Sequence, residues 1–192
     1  MTQVRIKNLT ERLFENDING LIVSKPENIY YLSGFSGEGL AIITGQKNYI
    51  ITDFRYIEKA KLEATAFEIV ETRPGGSLFS LAYALVKELG LKNIGVESGS
   101  LTVKEYDELA AIFKNINLIK TEGFIEELRT IKDADEISFI KAAQQITDQA
   151  FEHILAFIKP GVRELDLVAE LEYFMKKSGS KNTAFDTILI SG

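Results

Sequence analysis

Over residues 20–120, short β-forming runs alternate with runs of helical period, and that alternation narrows the possible folds more than any other feature. Strands are expected at residues 21–23, 40–44, 48–52, 67–70, 93–96 and 117–120. The second and third are separated only by Gly45, Gln46 and Lys47, which makes them a hairpin. Helices are expected from the N-terminal residues to about Asn16, as a short turn or helix after Pro26, at residues 55–64, from Ser77 to Gly90, and from Thr102 to Phe113. Ser77 caps the fourth of these and Asp53 stands where a cap for the third belongs, while Thr102 with Glu105 has the spacing of a capping box. Strands joined through helices pair in parallel and a hairpin pairs antiparallel. The reading is therefore an α/β domain whose mixed sheet is flanked by helices, with residues 124–130 as a connector out of it.

Beyond that connector the pattern changes. Asp133 and Glu136 form a second capping box, opening a helix with apolar residues at Ile137, Ile140, Ala143, Ile146, Ala150, Ile154 and Ile158, which Lys159, Pro160 and Gly161 stop. A further helix from about Glu164 carries Leu165, Val168, Leu171, Phe174 and Met175 on one face, and residues 187–190 read as one buried strand. Two helices and a single strand cannot bury such faces among themselves, because a stable sheet needs about three strands. The second part therefore reads as incomplete. A partner is expected over Ile140, Ile154, Leu165, Val168 and Phe174, by homodimerisation or swapped contacts.

Composition excludes several classes. With 45% hydrophobic and 26% charged residues the chain is of ordinary globular type, and without cysteine it offers neither disulfides nor thiolate metal sites. The net charge of -6 is scattered, so no basic stripe suits nucleic acid, and no apolar run approaches the roughly 18 residues of a membrane span. A cytoplasmic location is expected.

Candidate sites each have a plain alternative. Gly34, Gly37 and Gly39 run G-x-x-G-x-G into a strand, whereas a phosphate cradle needs a helix N-terminus, so a hinge or turn is the better reading. His153 has no partner histidine at ligand spacing and is read as structural or solvated. Acidic pairs such as Asp133 with Asp135 and Glu136, or Glu126 with Glu127, are read as helix-start and solvated residues. One histidine and no cysteine assemble no nucleophilic triad. No catalytic residue and no metal ligand can be named.

Four local patterns change this picture. They are Asn28-Ile-Tyr-Tyr-Leu-Ser-Gly-Phe35; Thr52-Asp53-Phe54-Arg55-Tyr56; Ile94-Gly95-Val96-Glu97; and Leu128-Arg129-Thr130-Ile131-Lys132 with Asp135-Glu136-Ile137, Pro160-Gly161-Val162-Arg163-Glu164 and Phe185-Asp186-Thr187-Ile188. In this order the chain resembles the creatinase/prolidase/Xaa-Pro aminopeptidase family of pita-bread metallopeptidases, most nearly a prolidase. The resemblance implies that residues 1–130 are the N-terminal domain and residues 131–192 a truncated start of the peptidase domain. It implies two divalent metal ions, such as Mn or Co, in the full-length parent, with their ligands after the point where this sequence stops, and none bound by this chain. It further implies a homodimer acting on proline-containing di- or oligopeptides, in which this chain alone is inactive and serves dimerisation and active-site shaping. Phe35, Ser36, Gly37 and Glu38 would form a substrate-proximal loop and Phe185 would line the groove. Tyr30 and Tyr31 are read as core aromatics, and Asp53 and Arg55 as a cap and a structural ion pair. A non-catalytic assembly or peptide-binding module, or part of a creatine amidinohydrolase, are the alternatives.

Overall fold

The computed structural model describes residues 2–191 and divides the chain into two compact units, one ending at Ile131 and one starting at Lys132. In the first unit the elements are α1 (Thr2–Glu15), β1 (Gly20–Val23), α2 (Pro26–Ser33), β2 (Leu40–Thr44), β3 (Tyr49–Thr52), α3 (Ile57–Glu63), β4 (Glu68–Glu71), α4 (Leu78–Glu88), β5 (Asn93–Glu97), α5 (Val103–Ile112), β6 (Asn117–Thr121) and α6 (Phe124–Thr130). The strands form one six-stranded sheet in the order β4-β3-β2-β1-β5-β6. β1, β2 and β3 pair antiparallel in succession, while β1 with β5, β5 with β6 and β3 with β4 run parallel. The mixed sheet and its hairpin are as the sequence pattern implies.

Burial explains the strand sequences. Both faces of the sheet are covered, so β1, β2 and β3 are apolar almost throughout. Leu21 and Val23 enter the core beneath α1, α2 and α6, with Leu9, Leu13, Ile29, Leu32 and Ile125. Ile22 points the other way, into the core under α4 and α5, with Ala82, Val86, Leu109 and Phe113. Each such aliphatic side chain contributes about 1.5–3 kcal/mol on full burial. The edge strand β4 instead places Glu68 and Glu71 in water, which discourages pairing with another chain.

Three local expectations are corrected. Asp53 does not cap α3. Its carboxylate is taken by the Arg55 backbone N–H and guanidinium, and the helix starts at Ile57. Residues 124–130 are a helix, entered from Gly123 in the left-handed region, and Arg12 of α1 reaches its Phe124 carbonyl. Tyr31 is buried but Tyr30 is exposed, so only one of that pair is a core aromatic.

The second unit is the helical hairpin α7 (Ala134–Leu155) and α8 (Glu164–Lys177) followed by an extended segment. Asp133 accepts the backbone N–H of Asp135 and of Glu136, and Glu136 returns the favour to the Asp133 N–H, completing the expected box. α7 ends at Leu155, short of Ile158, because Ala156 and Phe157 donate three residues back and tighten the last turn. Ala150, Ile154 and Leu167 are buried. His153 stacks on Phe174 at 4.2 Å and bonds Glu170 at 2.7 Å, so it is a structural side chain here. Of the residues expected to await a partner, Ile154 is buried while Ile140 and Leu165 stay exposed. Residues 187–190 join no ladder among the described residues. They are held by side chains, Thr187 donating to Glu172 at 2.8 Å and the Ser191 N–H to Glu164 at 2.7 Å.

Candidate functional site

The carboxyl ends of β1, β5 and β6 open on a cleft of about 300 Å³ lined by Leu21, Lys25, Glu97, Ser100, Glu122 and Phe124, among others. Crevices at the carboxyl ends of parallel strands are where open α/β sheets gather functional groups. At its floor is Glu97, the last residue of β5, only 8% exposed. Its Oε2 accepts the backbone N–H of Ser24 at 2.7 Å and of Lys25 at 2.9 Å, and its Oε1 accepts Asn28 Nδ2 at 2.6 Å. Asn28 is fully buried in the first turn of α2 and also donates to Glu126 Oε1 at 2.9 Å. Its Oδ1 accepts Arg129 of α6 at 2.9 Å. Lys25 closes the circuit with an ion pair to Glu126 at 2.8 Å.

The two carboxylates are driven in opposite directions. Burial pushes the Glu97 carboxyl above its ordinary range, against the three hydrogen bonds that favour its anion. Burial pushes Glu126 upward too, but the hydrogen bonds from Lys25 and Asn28 outweigh it and bring the carboxyl down to about 2. The Glu126 hydrogen bond in turn raises the Lys25 ammonium above its usual value. Every oxygen of Glu97 is engaged by a donor, so the arrangement positions backbone and does not present a nucleophile.

A second cluster surrounds the glycine loop. Glu38 is paired with Arg55 at 3.0 Å, and Arg55 also chelates Asp53, which makes the expected ion pair of those two part of a triad. Ser36 is held by Glu63, which accepts both its N–H and its hydroxyl. Phe35 lies inside the core, 1% exposed and edge-on to Tyr56, so the loop's aromatic ring offers no surface within this chain. Gly37 packs where any side chain would run into the Phe35 and Tyr56 rings. In the second unit Phe185 is 75% exposed on a largely apolar groove of about 620 Å³, with Ala142, Ile146, Leu171, Met175 and Ile188.

Sequence reasoning therefore missed Asn28, Lys25, Glu126 and Arg129 as a group, and treated Glu126 as a solvated acid. The signal was present in the motifs. Asn28 opens the first, Glu97 closes the third and Arg129 stands in the fourth, and the fold joins all three. None of this fits a metal pair. Among the described residues no three His, Cys, Asp or Glu side chains converge on a point, and the anions of Glu126 and Glu97 already face an ammonium and amide donors.

Residues 5–131 match the Creatinase/Prolidase N-terminal domain and residues 138–192 match Metallopeptidase family M24. The chain belongs to the creatinase/prolidase family. It is 39% identical over 189 residues to the uncharacterised peptidase YqhT of Bacillus subtilis, covering 98% of this chain and 52% of that protein. Identity to the Xaa-Pro dipeptidase of Pyrococcus furiosus is 31% over 190 residues, with 98% and 52% covered. The solved Xaa-Pro dipeptidase from Bacillus anthracis matches with a TM-score of 0.91 at 37% identity, covering 97% of this chain and 52% of that one. The chain thus spans about half the length of the curated relatives it matches. Among the described residues no helix is long and apolar enough to cross a membrane.

Proposed function

We propose that these residues are the N-terminal domain, residues 1–130, and the opening of the catalytic domain, residues 131–192, of a metal-dependent Xaa-Pro dipeptidase. The carrying observation is the tandem match, in which one family model ends at residue 131 and the next begins at residue 138, on either side of the boundary between the two units. Similarity to Xaa-Pro dipeptidases over 97% or more of this chain supports the same reading.

On this reading the peptidase works as a cytosolic homodimer with two divalent ions, such as Mn or Co, on proline-containing di- or oligopeptides. This chain's part is assembly and the shaping of the site. Ser36, Gly37 and Glu38, braced by Glu63 and Arg55 over the buried Phe35, form the substrate-proximal loop, and Phe185 lines the groove. The 192-residue polypeptide has no turnover of its own.

Incubating the purified chain with Mn²⁺ or Co²⁺ and an Xaa-Pro dipeptide tests this. No proline release is expected. Metal-dependent hydrolysis would overturn the reading, and a chain that binds peptides without any hydrolysis in its longer form would favour an assembly or peptide-binding module.

A further inference from the structure

Glu97 faces three donors, the Ser24 and Lys25 backbone N–H groups and the Asn28 amide. The site thus asks for a side chain that accepts at both oxygens, which a carboxylate does and a carboxamide cannot. α2 has no side-chain cap of its own, because its N-cap residue is Lys25. The carboxylate on β5 takes over the task of fixing where that helix begins. At its other end α2 runs through Gly34, left-handed at φ 80°, into the loop of residues 35–38. A helix of 8 residues is a stiff lever of about 12 Å, so its seating at Glu97 sets where the loop is presented. Through the Asn28 carbonyl oxygen the same hub reaches Arg129, two residues before the first unit ends at Ile131.

We propose that Glu97 is a positioning residue, the buried acceptor that holds α2 with its substrate-proximal loop, and the exit helix α6, in one fixed arrangement. The role assigned to the loop rests on the peptidase reading above; the coupling itself does not. A test by conformation therefore fails or succeeds independently of any assay for hydrolysis.

The experiment is amide hydrogen exchange by NMR on the 192-residue chain. Glu97→Gln must turn an amide N–H₂ toward a donor, and exchange is expected to quicken about tenfold or more at Ser24 and Lys25, in residues 35–38 and in α6, because a hydrogen bond to a buried charge is lost. Sheet amides of Ile42, Ile50 and Val96 should keep their rates. Arg129→Gln, which leaves Glu97 intact, should quicken both α6 and the loop. The proposal is overturned if the change from Glu97→Gln stays at Ser24 and Lys25 or spreads evenly through the sheet. Should Glu97→Gln not fold, an unchanged loop in Arg129→Gln would overturn it alone.

Discussion

Glu97 and Asn28 stand 69 positions apart in the sequence and meet in a buried hydrogen bond of 2.6 Å. That bond joins the end of a central strand to the first turn of α2, and Asn28 passes the connection on to α6 through Arg129.

Asn28→Ala removes a donor from Glu97 and the acceptor used by Arg129. Hydrogen bonds to charged partners contribute about 1.5–3 kcal/mol each, and their loss in a buried setting is not made good by water. Unfolding of the first unit in urea should be easier by about 2–3 kcal/mol, and a loss under about 0.5 kcal/mol would show that the network carries little stability.

Acid should act on Glu126 and Glu97 with opposite sign. The Glu126 carboxyl falls from an ordinary 4.5 to about 2 on folding, so its contribution is complete above pH 4.5 and fades as pH drops toward 2. With 42% of its side chain exposed, solvent screening keeps that contribution under about 1 kcal/mol. Glu97 is raised, so its share is present below pH 4.5 and lost as pH climbs through its folded value. Carboxyl-carbon NMR titration should place the two glutamates on opposite sides of 4.5, and the stability gap between the parent and Glu126→Gln should shrink below that pH.

Asp133→Ala strips the start of α7 of the oxygen that accepts the Asp135 and Glu136 N–H groups. An N-cap of this kind is worth about 1 kcal/mol. Helicity measured by circular dichroism should fall at the first turn of α7, with Asp133→Asn retaining most of it.

At Gly39 a methyl group would meet the Ile51 carbonyl of the neighbouring strand. The glycine is needed for backbone approach where the loop enters β2. Gly39→Ala should cost more than about 2 kcal/mol and lower the thermal midpoint, whereas Gly75→Ala, with open space around it and only its positive φ against it, should cost about 1 kcal/mol.

Features written in neighbouring residues were readable from the chain alone. The hairpin of β2 and β3 and the capping boxes at Thr102 and Asp133 each need only a few consecutive positions. α6 escaped because its 7 residues are too few to display a helical period and its N-cap is a glycine. Asp53 misled because Arg55, two positions on, competes for the carboxylate that would have capped α3. The site was half visible, since the motifs contain Asn28, Glu97 and Arg129, but nothing local says that they touch. Phe35 likewise looked like a loop residue, and only the packing of Tyr56 and the sheet against it shows that the ring faces inward.

β1 sits in the middle of the sheet yet is the earliest strand in the chain. During synthesis it gains β2 at once on one side, while the other side waits for β5 and everything between them to emerge. A nascent chain therefore carries Leu21, Ile22 and Val23 with one row of backbone groups unpaired through much of translation, a period in which a stray strand from another molecule can take the vacant place.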